Sequence, residues 1–267
     1  MKKLFLLVLL IIFNIELAFS QNTEKEKQST IGFGLGASFS GYREETVLDI
    51  NRYINTITFF IDGAKEKKRL LHSYNFGFFR GKNDVTVAYP VYEWELKPDI
   101  FGWFFNYYQS EDTFTRLDFE YSLDYRLWGN KTFPGYLGGA IRTDIYLIET
   151  LVNPIYINFT GLISFNIHVG QKWIINEKNI LSATVSFPFI GFGIRPQYIG
   201  LAGWPIEAGL ISLHNYWSVF GNIKYMYKFN SLVSLYSGLG LEFSRVDFPR
   251  PRRDAATKIK LGVAFTF

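Results

Sequence analysis

The 267-residue chain is 48% hydrophobic and 19% aromatic, has no cysteine, and carries 28 basic against 24 acidic side chains for a formal net charge of +4. So small an excess gives no reason to expect a nucleic-acid partner. The lack of cysteine excludes disulfide frameworks, thiolate metal sites, cysteine nucleophiles and lipidation on an N-terminal cysteine. Lys2 and Lys3 open the chain, residues 4–13 are uninterruptedly apolar, and Ala18-Phe19-Ser20 precedes Gln21. A basic start, an apolar run and a small-x-small site form the layout of a secretory signal peptide, and the run is too short for a helical span of roughly 20 residues. The expectation is therefore a signal peptide over residues 1–20, a polar leader over 21–28 and one domain over 29–267.

Beyond the leader the chain is a series of short alternating segments separated by turn chemistry, with no helical period. Strand side chains alternate between faces. Ile31, Phe33, Leu35, Ala37 and Phe39 share one face of the first segment, with Gly32, Gly34 and Gly36 on the other; this GxGxG lies inside a strand, where it marks close packing by aromatic neighbours rather than a phosphate loop. Residues 53–62 form the second strand, 64–69 (AKEKKR) a charged turn, and 70–79 the third. Residues 84–96 alternate until Pro90, residues 97–99 are turn-like, and 100–108 set Phe101, Trp103, Phe105 and Tyr107 on one face. Residues 115–128 separate their faces most sharply: Leu117, Phe119, Tyr121, Leu123, Tyr125 and Leu127 alternate with Arg116, Asp118, Glu120, Ser122, Asp124 and Arg126.

Four further strands follow, over residues 136–149, 158–173, about 181–189 and 217–229, with a turn at Asn176-Glu177-Lys178. Residues 229–231 turn into a strand over 233–243, and the last strand ends the chain. Counting 84–96, there are twelve. After residue 20 no apolar run approaches the 18 residues of a helical span, so membrane helices are excluded and a barrel is not. A soluble barrel would turn the large aromatics inward; lipid outside and a polar lumen inside put them outward. Outer loops are expected at 41–52, 81–83, 109–112, 150–157, 190–216 and 245–256, with the charged turns at the periplasmic end, and Pro205 followed by Glu207 suggests a helix start.

The final residues, KIKLGVAFTF, place Lys260, Gly262, Phe265 and the terminal Phe267 in the pattern polar, glycine, then aromatic residues at alternate positions. This resembles the C-terminal assembly signal of bacterial outer-membrane β-barrels. The resemblance implies a transmembrane antiparallel up-and-down barrel in a Gram-negative cell envelope, contact with outer-membrane lipid and lipopolysaccharide, and recognition by the barrel-assembly machinery.

The inward face then holds Arg116, Asp118, Glu120, Asp124, Arg126, Arg142, Asp144, Lys224, Lys228, Glu242, Lys258 and Lys260 as a charge network, with Glu242 opposite Lys260 in the last hairpin. Such a network either plugs the lumen or lines a narrow, solute-selecting pore. Arg245, Arg250, Arg252 and Arg253 form a basic tip, either a solvated charge run or a surface suited to phosphates, and the apolar segment 191–216 reads as a cap over the mouth or a platform for an apolar ligand. The chain thus reads as a narrow channel or a structural, surface-contact barrel. One alternative is a lipid hydrolase built on His168 with Ser186 or Ser164; another is a receptor or adhesin using the outer loops. No metal-ligand spacing or cofactor motif is present, and the expectation is no cofactor.

Overall fold

The computed structural model describes residues 28–44, 50–90, 105–150, 156–196, 206–247 and 251–267; the expected signal peptide, Arg250 and the turn at 97–99 lie outside them. Among the described residues there are eleven strands: β1 (Gln28–Glu44), β2 (Ile50–Lys67), β3 (Leu70–Pro90), β4 (Phe105–Trp128), β5 (Gly135–Thr150), β6 (Tyr156–Ile174), β7 (Asn179–Pro196), β8 (Ile206–Ser212), β9 (Tyr216–Lys228), β10 (Val233–Val246) and β11 (Arg252–Thr266). Each ring strand pairs antiparallel with the next, β7 pairs β9, and β1 pairs β11, so ten strands close on themselves while β8 stands outside the ring. No described helix is long and apolar enough to cross a membrane.

The expected twelve strands are therefore corrected to ten. The expected outer turns at 81–83 and 109–112 do not form: β3 and β4 pair without a register shift from Leu70↔Tyr125 to Pro90↔Phe105. Each absorbs a segment that the sequence alone reads as separate, because nothing at 81–83 or 109–112 interrupts the alternation of faces. Strands of 21 and 24 residues exceed the roughly 9–11 that a tilted membrane strand needs.

The segment 190–216 is also corrected. β7 continues to Pro196; Pro205 lies outside the described residues, and Ile206–Ser212, directly after the expected helix start, form strand β8, which pairs the upper part of β7. Pro188, which lacks an N–H, sits at a bulge where Asn166 pairs Pro188 and Phe165 pairs Ile190. The extra residue exchanges the two faces of β7, so Phe187 points outward below the bulge and Phe192 above it, while Arg195 turns inward and is buried.

Of the four short turns at the end of the barrel that carries both described termini, the one expected over 64–69 shrinks to Lys68-Arg69, with Lys68 at φ 56°, because β2 runs on to Lys67, and the other three share one chemistry. Asn130 Oδ1 accepts the N–H groups of Thr132 and Phe133, Asn176 those of Lys178 and Asn179, and Asn230 those of Leu232 and Val233, all at 2.7–3.0 Å. These side chains satisfy backbone donors that the ladder leaves open.

The sorting of faces is near-complete. Phe119, Tyr121, Leu123, Tyr125 and Leu127 of β4 lie outside and exposed, with Leu137, Ile141, Ile163, Phe165, Ile167, Ile223, Leu239, Leu241, Ile259 and Leu261 around the same wall, while Arg116, Asp118, Ser122 and Asp124 point inward and are buried. At the terminus end the outer wall carries aromatic residues with polar partners. Tyr121 meets His72 at 2.8 Å, Tyr125 meets Arg69 at 3.3 Å, Trp128 donates to Gln171 at 2.9 Å, and Tyr225 donates to Asn179. The exterior is thus an apolar band bordered at one end by an aromatic girdle.

Candidate functional site

The interior is layered along the barrel axis. At its middle, Arg116 on β4 reaches Glu242 on β10 with 2.8 Å to each carboxylate oxygen and Asp144 at 2.7 Å. β4 and β10 are five places apart in a ring of ten, so this contact joins opposite walls. Lys258 on β11 reaches Asp118 at 2.8 Å and Glu242 at 3.0 Å. Arg142 holds Asp144 through Nε at 2.7 Å and touches Glu120, Glu242 and Asp118 at 3.4–3.6 Å. Aromatic rings complete the layer: Phe220 lies 3.8 Å from the Arg142 guanidinium, Tyr146 4.7 Å from that of Arg116, and Phe79 4.6 Å from the Lys258 ammonium. Guanidinium planes stack on rings while their edges bind carboxylates, so both arginines are enclosed by complementary surfaces.

Above this layer, toward the long connections, inward apolar side chains pack together among buried polar ones that include Thr160, Ser218, Ser244 and Arg252. Ile54, Phe114, Ile148, Leu162, Tyr216 and Val246 pack with Ile211, which β8 inserts from outside the ring; all are 6% exposed or less. The segment 191–216 thus supplies a cap through a single strand. Below the charge layer, toward the termini, a cavity of about 220 Å³ is lined by polar groups including Asp62, Glu66, Tyr136, His168, Lys172 and Lys224. Here Asp62 on β2 is held by Lys224 and Tyr236, and Glu66 by Tyr136 at 3.0 Å and Lys172 at 3.5 Å. The β1 glycines make this crossing possible: a Cβ on Gly32 would strike Asp62 and Tyr236, and one on Gly34 the Phe60 ring. A smaller void of about 80 Å³ reaches up into the charge layer beside Glu242 and Lys260, room for two or three waters at ~30 Å³ each.

Of the residues expected to form one network, the structure brings Arg116, Asp118, Glu120, Arg142, Asp144 and Glu242 together. Glu242 meets Lys258 rather than Lys260, because Glu242 pairs Ala256 in register and the next inward residue is Lys258. Lys260 lies lower, its ammonium 5.1 Å from the Phe60 ring centroid. Asp124 stands apart: it accepts from Ser122 at 2.8 Å and contacts His168 Nδ1 at 2.8 Å. Asp124, Gly138 and His168 are successive partners across β4, β5 and β6, and a Cβ on Gly138 would strike Asp124, so this glycine lets the pair meet over β5. Arg126 faces inward near the terminus end, away from the network.

The hydrolase candidates are neighbours without being a dyad. His168 pairs Ser186 in register, but its Nδ1 bonds Asp124 on the side away from β7, and Ser186 Oγ accepts from Asn166 at 3.0 Å. Ser164 is buried one inward step above Asn166, nearer the charge layer. Among the described residues no cluster of three or more metal-ligating side chains occurs. The expected basic tip is split by strand alternation. Arg245 and Arg253 point outward, whereas Arg252 is buried inside the mouth, bonded to Asp254 at 2.9 Å and 4.5 Å from the Tyr146 ring. The missed site residues are Asp62 and Tyr236, which meet the inward-facing Lys224. Their signal, polar residues on inward faces, was legible, but which of them meet depends on ring closure.

No protein-family model and no curated protein sequence matches the chain. Among solved structures it is similar to the outer-membrane protease OmpT from Escherichia coli, with a TM-score of 0.59 at 7% identity over 92% of this chain and 99% of that one. Looser superpositions occur on an outer-membrane channel from Pseudomonas putida F1 (TM-score 0.43, 9% identity, 92% of this chain and 97% of that one) and on Ail of Yersinia pestis (0.33, 11%, 91% and 99%). At 7% identity the likeness to OmpT is one of fold: the chain has the closed antiparallel barrel of bacterial outer-membrane β-barrel proteins.

Proposed function

We propose that the protein is an integral barrel of the bacterial outer membrane whose lumen is sealed, and that it acts through its lipid-facing wall and outer surface rather than as a diffusion pore. The outward apolar band, the aromatic girdle and the resemblance of the last residues to an assembly signal support the membrane location. Short turns and termini at one end, long connections at the other, support an orientation with the termini in the periplasm.

The observation that carries the sealed reading is the hydrogen-bonded contact of Arg116 with Glu242 from diametrically opposite strands, under a layer of packed apolar side chains. Ions do not cross so closely packed a layer without shedding their water. The cavity below, at about 220 Å³, is smaller than the roughly 300–1,000 Å³ of small-molecule sites. It reads as a vestibule.

Single-channel recording of the refolded protein in a planar bilayer tests this. The expected record is silent from a preparation that shows a heat-modifiable barrel on a gel. Conductance steps whose ion selectivity moves on replacing Arg116 or Arg142 would overturn the sealed reading in favour of a narrow channel.

A further inference from the structure

Outward positions of the ring strands are mostly apolar, with polar exceptions at Asn55, Arg80 and Lys82 and in one row at the upper rim. In register, Trp217 on β9 pairs Arg245 on β10, Arg245 pairs Arg253 on β11, and Arg253 pairs Arg43 on β1. Like charges directly opposite on a sheet repel one another, so the exposed pair Arg245 and Arg253 marks a surface suited to an anion. Asp247 holds Arg245 through Nε at 2.9 Å, which fixes the direction of its guanidinium.

The row immediately below has a different shape. Phe243 pairs Ala255, Ala255 pairs Gly41, and Gly41 pairs Tyr53. Two small residues between two exposed aromatic rings leave a groove, and the open space there, bounded above by the arginines, is about 780 Å³. Its level on the barrel follows from strand geometry. Arg245 is ten residues beyond Leu235 on β10; at a rise of ~3.4 Å per residue and a tilt of ~45° this is roughly 24 Å along the membrane normal. That is the height of the ~25 Å apolar band of an outer-membrane barrel, so the arginines stand where lipid headgroups begin and the groove lies in the acyl region beneath them.

We propose that this groove seats one phosphorylated glycolipid of the outer leaflet, with its phosphate against Arg245 and Arg253 and an acyl chain on the floor of Ala255 and Gly41 between Phe243 and Tyr53. The proposal rests on the membrane location and orientation given above. Arginine forks match phosphate oxygens in pairs, and the floor has the small side chains that a hydrocarbon chain lying flat against the wall requires.

Native mass spectrometry of the refolded full chain in detergent tests the seat, with bisphosphorylated lipid A, the same lipid without its phosphates, and phosphatidylglycerol as probes. The expected result is one bisphosphorylated lipid A per barrel, with occupancy falling about tenfold in the double variant Arg245→Ser, Arg253→Ser. The same fall is expected for the dephosphorylated lipid, and also in Ala255→Phe, which fills the groove and leaves the charges in place. Equal retention by the wild type and the double variant, or equal retention of phosphatidylglycerol, overturns the proposal. Displacement of the lipid by excess inorganic phosphate would show a plain anion site and overturn the acyl half. Insertion of the same preparations into vesicles is scored separately: a barrel that inserts but keeps no lipid through its arginines sinks the seat alone, whereas one that never inserts sinks the membrane location.

Discussion

Replacing Glu242 with glutamine removes one buried negative charge while keeping volume and one acceptor oxygen. The carboxylate sits against the Arg116 guanidinium at 2.8 Å, the Lys258 ammonium at 3.0 Å and the Arg142 guanidinium at 3.5 Å. At an effective dielectric of about 20, each unit pair at that range is worth roughly 5 kcal/mol before desolvation, and desolvation of the buried ions cancels most of the sum. What the substitution exposes is the imbalance left behind: three cations facing Asp118, Asp144 and Glu120 alone. Removing one partner of a buried network costs about 3–5 kcal/mol. The measurement is urea unfolding of the protein refolded into lipid vesicles, followed by tryptophan fluorescence. Lys258→Met alone should also destabilise, and the double variant should be less destabilised than the sum of the singles by about 1 kcal/mol or more, because it removes one charge of each sign. A Glu242→Gln variant within about 1 kcal/mol of wild type would refute the reasoning, since it would mean that solvent already screens these pairs. Conductance gives a second reading: the variant should remain silent, because the apolar layer above is untouched.

Gly138→Leu forces a side chain into the space where Asp124 crosses to His168 and should cost about 2 kcal/mol or more; an unchanged unfolding midpoint would contradict the described crossing. Ile211→Ala, which hollows the apolar layer where β8 enters the ring, should cost about 2–4 kcal/mol, measured by the same unfolding curve. Replacing residues 83–112 by a two-residue Asn-Gly turn should leave a heat-modifiable barrel, because the remaining lengths of β3 and β4 still exceed the roughly 9–11 residues of a membrane strand. Loss of the gel shift would show that the projecting hairpin is needed for closure. His168→Ala should leave any hydrolysis of acyl esters by the preparation at its background rate, and activity that vanishes with His168 would revive the hydrolase reading.

The alternation of Leu117 to Leu127 against Arg116 to Arg126 is a local property, so the sequence by itself determined that the chain is β throughout, which face of each strand is apolar, and, through Asn130, Asn176 and Asn230, where the short turns lie. The period of two carries no record of where a strand stops when no turn residue interrupts it, and so the long hairpin of β3 and β4 was read as four strands and the count came out at twelve. The bulge at Pro188 exchanged the faces of β7 in the same silent way. Which charges meet was decided by closure alone: Arg116 and Glu242 are 126 positions apart in sequence and touch because ten strands place β4 and β10 opposite each other. The same holds for the floor of the outer groove, where Ala255 on β11 and Gly41 on β1 become neighbours only when the first strand pairs with the last.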